Sequence, residues 1–193
     1  MNKIKEIITA SISVKEKILH DPMLISALQK VADEIVNCYA HDGKVLFCGN
    51  GGSAADAQHI AAELSGRFYF DRDPLDAEAL HVNTSYLTAV ANDYSYDQVY
   101  SRLIKARGRK GDVLVGISTS GNSGNVLKAF ELANEIGMIT VGMTGESGGK
   151  MKSLSKILLN APSGDTPRIQ ESHIMMGHII CELVEERMFE RGK

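Results

Sequence analysis

Between residues 44 and 160, short runs of consecutive apolar residues alternate with longer stretches in which apolar positions recur every three or four residues. The short runs are "KVLFC" (44–48), residues 79–82, "DVLVGI" (112–117), residues 139–143 and "ILLN" (Ile157–Asn160). They are too brief for core helices, and they predict five strands. The periodic stretches predict helices over 54–64, 85–91, 96–107, Gly124–Ile136, Met151–Leu154 and 167–191, with Asn92 and Asp93 between the second and third. Gly137 ends the fourth. Thr166 serves as cap for the last, with Pro167 at its first position. Upstream, residues 2–41 predict two helices broken at His20-Asp21-Pro22, where Asp21 can cap and Pro22 can begin the second.

Strands apolar on both faces, alternating with helices, describe a parallel sheet covered on both sides. The expected architecture is a single three-layer α/β sandwich over residues 1–193, with extra N-terminal helices over 1–41. In such folds ligands bind beyond the carboxyl ends of the strands. Two loops rich in glycine or serine fall there.

Composition narrows the function. The 193 residues are 44% hydrophobic and 23% charged, with a formal net charge of −3. A nucleic-acid or anionic-membrane binder carries a basic surplus, and this chain has none. The local cluster "KARGRK" (105–110) reads as a solvated helix end and loop. Three cysteines, Cys38, Cys48 and Cys181, form no C-x-x-C pair, which favours a reduced setting. The N-terminal stretch reads as an amphipathic helix and not a signal peptide, and no run reaches the ~18 apolar residues that cross a bilayer. A cytoplasmic location is expected.

The first loop, Gly49-Asn50-Gly51-Gly52-Ser53, leads from a strand into a helix. Its glycines let a ligand approach the backbone, and the helix start offers free N–H groups. Gly49, Gly51 and Ala54 also fit G-x-G-x-x-A. A dinucleotide site needs an acid near the end of the second strand, and His81-Val82-Asn83 offers none, so no nucleotide cofactor is expected. The second loop, Ser118-Thr119-Ser120-Gly121-Asn122-Ser123, places four hydroxyls in six residues at a helix start. Uncharged donors in that setting suit a phosphate monoester. A Walker A loop is excluded by the lack of G-K-[ST].

Asp56, His59 and Glu63 share one face of the first post-loop helix, amid alanine, isoleucine and leucine. A self-satisfying surface His–Glu pair and a partial metal site fit this spacing equally. On the final helix, Gln170, Ile174, Gly177 and His178 share a stripe, and Gly177 would admit another backbone. His178 could instead pair with Glu182, Gln170 could serve as a local cap, and His173 reads as exposed.

Together, "GNGGSAADAQHIAAEL", "TAVANDY", "GISTSGNSGNVLKA" and "TPRIQESHIMMGHIICELVE" resemble the sugar isomerase (SIS) domain family, and within it the branch that isomerises heptose phosphates. The resemblance runs from about residue 30 to 187. It implies a homotetramer with active sites between subunits and the N-terminal helices packed on neighbours. It implies one zinc ion per subunit, held by His59, Glu63, Gln170 and His178. The matching phosphate loop is Ser118, Thr119, Ser120 and Ser123, with Asn50, Gly51, Gly52 and Ser53 nearby. Asn92, Asp93, Glu63 and Gln170 match substrate contacts, with Arg67 and Arg168 as neighbours. The implied activity is aldose–ketose isomerisation of sedoheptulose 7-phosphate to D-glycero-D-manno-heptose 7-phosphate through an enediol, for lipopolysaccharide core or another surface glycan. Glu63 is the implied base and His178 the implied acid. Relatives often carry Asp at the Asn83 position and Gln at the Leu103 position. Two other readings are a non-catalytic adaptor that binds a replication initiator, which lacks the Glu63 and His178 side chains, and an isomerase of another sugar phosphate.

Overall fold

Five parallel strands, β1 (Val45–Gly49), β2 (Ala77–Ala79), β3 (Val113–Ile117), β4 (Ile139–Thr144) and β5 (Ile157–Asn160), form a sheet of order β2-β1-β3-β4-β5. The computed structural model describes residues 2–189. Among them are the helices α1 (Lys3–Leu19), α2 (Pro22–Tyr39), α3 (Gly52–Ser65), α4 (Thr84–Asp93), α5 (Val99–Arg107), α6 (Gly124–Ile136), α7 (Met151–Leu154) and α8 (Thr166–Met188).

Side-chain alternation sorts the core into two layers. Val45, Phe47, Val113, Val115 and Val141 face the apolar sides of α1, α2, α3 and α8. Leu46, Cys48 and Leu114 face Val99, Tyr100, Ile104, Val126 and Phe130 on α5 and α6. Gly116 is needed on that second face, because a Cβ there would stand 2.3 Å from Cε2 of Phe130. The three-layer expectation therefore holds.

Local chemistry explains most element ends. The Asp21 carboxylate accepts hydrogen bonds from the N–H groups of Met23 and Leu24, and Pro22 opens α2. Gly137 closes α6 at φ 90°, a left-handed conformation that suits glycine. Four expectations need correction. The second strand is Ala77–Ala79, not 79–82, because Val45 pairs with Ala77 and the chain turns away after Leu80. The α4 helix runs through Asn92 and Asp93, which therefore do not form a connector. A 3₁₀ turn, Tyr96–Gln98, precedes α5. The last helix has Asp165, not Thr166, at its N-cap position, without a side-chain capping bond, and ends at Met188; the expected end at Arg191 lies outside the described residues.

After β1 the chain crosses by α3 to β2 on one side, then returns by α4 and α5 to β3 on the other. The loops leaving β1 and β3 thus sit side by side at a topological switch point, where α/β sheets bind ligands. Among the described residues no helix is long and apolar enough to cross a membrane.

Candidate active site

The two loops are tied together by side chains. Asn50 and Asn125 exchange amide hydrogen bonds, each Nδ2 donating to the other's Oδ1 at 2.9 Å. The Tyr96 hydroxyl donates to Asn50 Oδ1 at 3.0 Å, and the Tyr100 hydroxyl donates to the Gly49 carbonyl. Gly51 has φ 56°, and a Cβ there would meet nothing within 4 Å. That stretch of backbone is open to an incoming group. Asn125, Tyr96 and Tyr100 were not singled out from the sequence. Asn125, two residues after the serine loop, was the one signal available.

In the second loop Ser123 is the N-cap residue of α6, yet its hydroxyl makes no capping bond. Ser123 Oγ instead lies 2.8 Å from Ser118 Oγ, and Ser120 Oγ lies 3.5 Å from Ser118 Oγ. The hydroxyls converge on one another, so the helix start is left to other partners. A cleft of about 340 Å³ opens beside Thr119 and Ser120, lined further by Asn122, Glu146, Ser163 and Thr166.

The polar stripes meet. α3 and α8 run side by side in the same direction, with contacts between Gly52 and Gln170 and between Ile60 and Gly177. At Gly177 a Cβ would lie 2.4 Å from Cδ1 of Ile60. The glycine thus makes room for a side chain, where the sequence suggested a backbone. Beside it, His59 Nε2 lies 3.1 Å from Glu63 Oε1, and His178 Nε2 lies 3.4 Å from His59 Nε2. One donor atom from each of the three residues falls within 4.8 Å of the others. Metal–ligand bonds of about 2.0–2.1 Å in a tetrahedron put neighbouring donors roughly 3.3 Å apart. Two imidazole nitrogens and a carboxylate oxygen at these separations fit a divalent cation. Gln170 sits toward the loop end, its amide over Gly52, where a Cβ would be 2.4 Å from Nε2. Asp56 shares the α3 face. Burial pushes its carboxyl up, His59 partly offsets this, and Oδ2 has no hydrogen-bond partner among the described residues.

Other candidates fall elsewhere. Asn92 donates to Asp93 Oδ1 at 3.0 Å on an exposed helix end. Arg168 turns away from the loops: it donates to the Ile7 carbonyl at 3.2 Å and pairs with Glu171, tying α1 to α8. Arg67 is exposed after α3. His173, expected at the surface, is fully buried. Its Nε2–H donates to the Thr144 carbonyl at 3.0 Å, and burial lowers its pKa to about 4. Asn83 caps α4 through Tyr86 N–H, a role that Asp fills equally well. Leu103 packs on the second core layer.

The SIS domain model matches residues 9–145. The chain belongs to the SIS domain family. Phosphoheptose isomerases from Aneurinibacillus thermoaerophilus and Clostridium acetobutylicum are 54% and 52% identical to it, covering 96% and 97% of this chain and 94% and 96% of their own. The solved phosphoheptose isomerase of Neisseria gonorrhoeae superposes with a TM-score of 0.89 at 44% identity, over 95% of this chain and 97% of that one. That of Francisella tularensis gives 0.91 at 35% identity, over 96% and 97%. Within the SIS domain family, the chain is a member of the phosphoheptose isomerases.

Proposed function

We propose that this protein isomerises sedoheptulose 7-phosphate to D-glycero-D-manno-heptose 7-phosphate, with residues 1–193 acting as one SIS domain. The observation that carries this reading is the meeting of Glu63 and His178, from two helices, with His59, on helices that also bring Gln170 to Gly52 of the first loop. A ketose becomes an aldose when a proton moves from C1 to C2 through an enediol. Glu63 takes the C1 proton and returns it to C2. His178 gives a proton to the carbonyl oxygen and takes one from the neighbouring hydroxyl. Each such group supplies about 10²–10⁴ in rate.

His59, Glu63 and His178, with Gln170 from the loop side, would hold one zinc ion. When bound, it supplies Lewis-acid polarisation of the substrate oxygens. Ser118, Thr119, Ser120 and Ser123, with Ser53 and the Asn50–Gly52 backbone, hold the phosphate and set the register of the sugar chain. Asn92 and Asp93 contact the substrate. The exposed stripe Ile4, Ile7, Ile8 and Ile12 on α1 supports burial against second copies of this chain, and a homotetramer is the assembly proposed. A cytoplasmic role at the start of activated-heptose synthesis for a surface glycan such as lipopolysaccharide core follows. NMR of purified protein incubated with sedoheptulose 7-phosphate should show an aldose product. No conversion in zinc-loaded protein would refute the reading.

A further inference from the structure

We propose that the buried ion pair Arg72–Glu185 is a positioning device that fixes Glu63 and His178 together; the catalytic meaning of this rests on the isomerase reading above. Arg72 follows α3, and Glu185 lies on α8. Their side chains are 2% and 1% exposed, with Arg72 Nε 3.0 Å from Glu185 Oε1. The rest of the guanidinium serves the end of α3. It donates to the carbonyls of Glu63 and Leu64 at 2.8 Å each, of Gly66 at 2.9 Å and of Asp73 at 3.0 Å. Carbonyls of a last helical turn have no partner within the helix, and a cation there complements the dipole. One planar fork therefore sets the backbone from which the Glu63 side chain projects.

Glu185 serves the other half of the site. It stands two turns beyond His178 on the same stripe of α8. Its carboxylate accepts the N–H of Phe68 at 2.9 Å and of Tyr69 at 2.7 Å. Burial works to raise this carboxyl, but those two hydrogen bonds and Arg72 outweigh it and hold it below the usual range. The anchored segment carries the Phe68 ring, whose centroid is 5.7 Å from that of His178. A single pair thus fixes the main chain under the base and the aromatic wall beside the acid. Fold stability alone does not require such an arrangement: apolar side chains of similar volume often hold a core as well as a buried ion pair does. Four carbonyls and two amides converging on the pair point to orientation.

The test compares Arg72→Lys and Glu185→Gln with a control, Asp112→Asn. Asp112, 3% exposed, pairs with the 18% exposed Lys44, 2.8 Å apart, at the opposite end of the sheet. Zinc affinity is read by competition with a chromophoric chelator, kcat and KM with sedoheptulose 7-phosphate, and folding by thermal unfolding. Supporting groups behind metal ligands typically change affinity or activity about 10–100-fold. The expected result is a loss of that size in zinc affinity and kcat for both variants, with KM within about twofold, while Asp112→Asn loses comparable stability and neither function. Zinc affinity and kcat within about twofold of wild type in both variants, or an equal loss in Asp112→Asn, would overturn the proposal. If neither variant folds, Phe68→Ala leaves the ion pair intact and decides it: weakened zinc binding with lowered kcat is expected, and unchanged values refute it. Failure of the wild type to turn over the sugar would count against the isomerase reading alone, since chelator competition still reads the positioning.

Discussion

His59 Nε2 and His178 Nε2 stand 3.4 Å apart although 119 residues separate them in the chain. Both atoms belong to a set of three donors, one each from His59, Glu63 and His178, that lie within 4.8 Å of one another, a spacing suited to one shared cation. The approach depends on α3 and α8 lying in parallel register, with Ile60 seated over the bare Cα of Gly177.

Gly177→Val should therefore loosen the site from a position that touches no ligand. Its side chain would overlap both Cδ1 and Cγ1 of Ile60. Overpacking of this kind costs about 1–3 kcal/mol. Denaturant unfolding should show that loss, and zinc affinity should fall with it.

Glu63→Gln and His178→Gln remove one proton-transfer partner each. Steady-state assays should show kcat lowered about 10²–10⁴-fold in both. Near-normal turnover in either would end that assignment of roles.

Ser120→Ala combined with Ser123→Ala removes two hydroxyls from the loop whose members converge on Ser118. KM for the phosphorylated sugar should rise, with a smaller change in kcat. An unchanged KM would place the phosphate elsewhere.

His173 links pH to stability. Its pKa falls from 6.5 when unfolded to about 4 when folded, because burial disfavours the charged ring. The unfolded chain therefore binds the proton first as pH drops. The stabilising contribution is complete above pH 6.5 and is lost progressively down to about pH 4. The shift corresponds to roughly 3 kcal/mol. Urea midpoints at pH 7 and pH 5 should differ more in wild type than in His173→Gln.

Much of this was legible in the chain. Fully buried strands read as unbroken apolar runs, and glycine and proline marked the breaks, so the sheet and the two loops could be located. His59, Glu63, Gln170 and His178 stood out as polar residues on apolar helix faces. What stayed hidden depends on distant partners. Arg72 looks like an ordinary charge in a polar loop until Glu185 arrives from 113 residues away. His173 looks exposed because nothing local reveals that Thr144 covers it. The edge strand β2 was misplaced because the run Ala79-Leu80-His81-Val82 shares only Ala79 with the residues that pair with β1, which begin at Ala77.

Zinc titration of metal-stripped wild type and His178→Ala, followed by competition with a chelator, addresses the central claim most directly. The account predicts one tight equivalent per wild-type chain and a large loss of affinity in the variant. Equal affinity in the two proteins would contradict it.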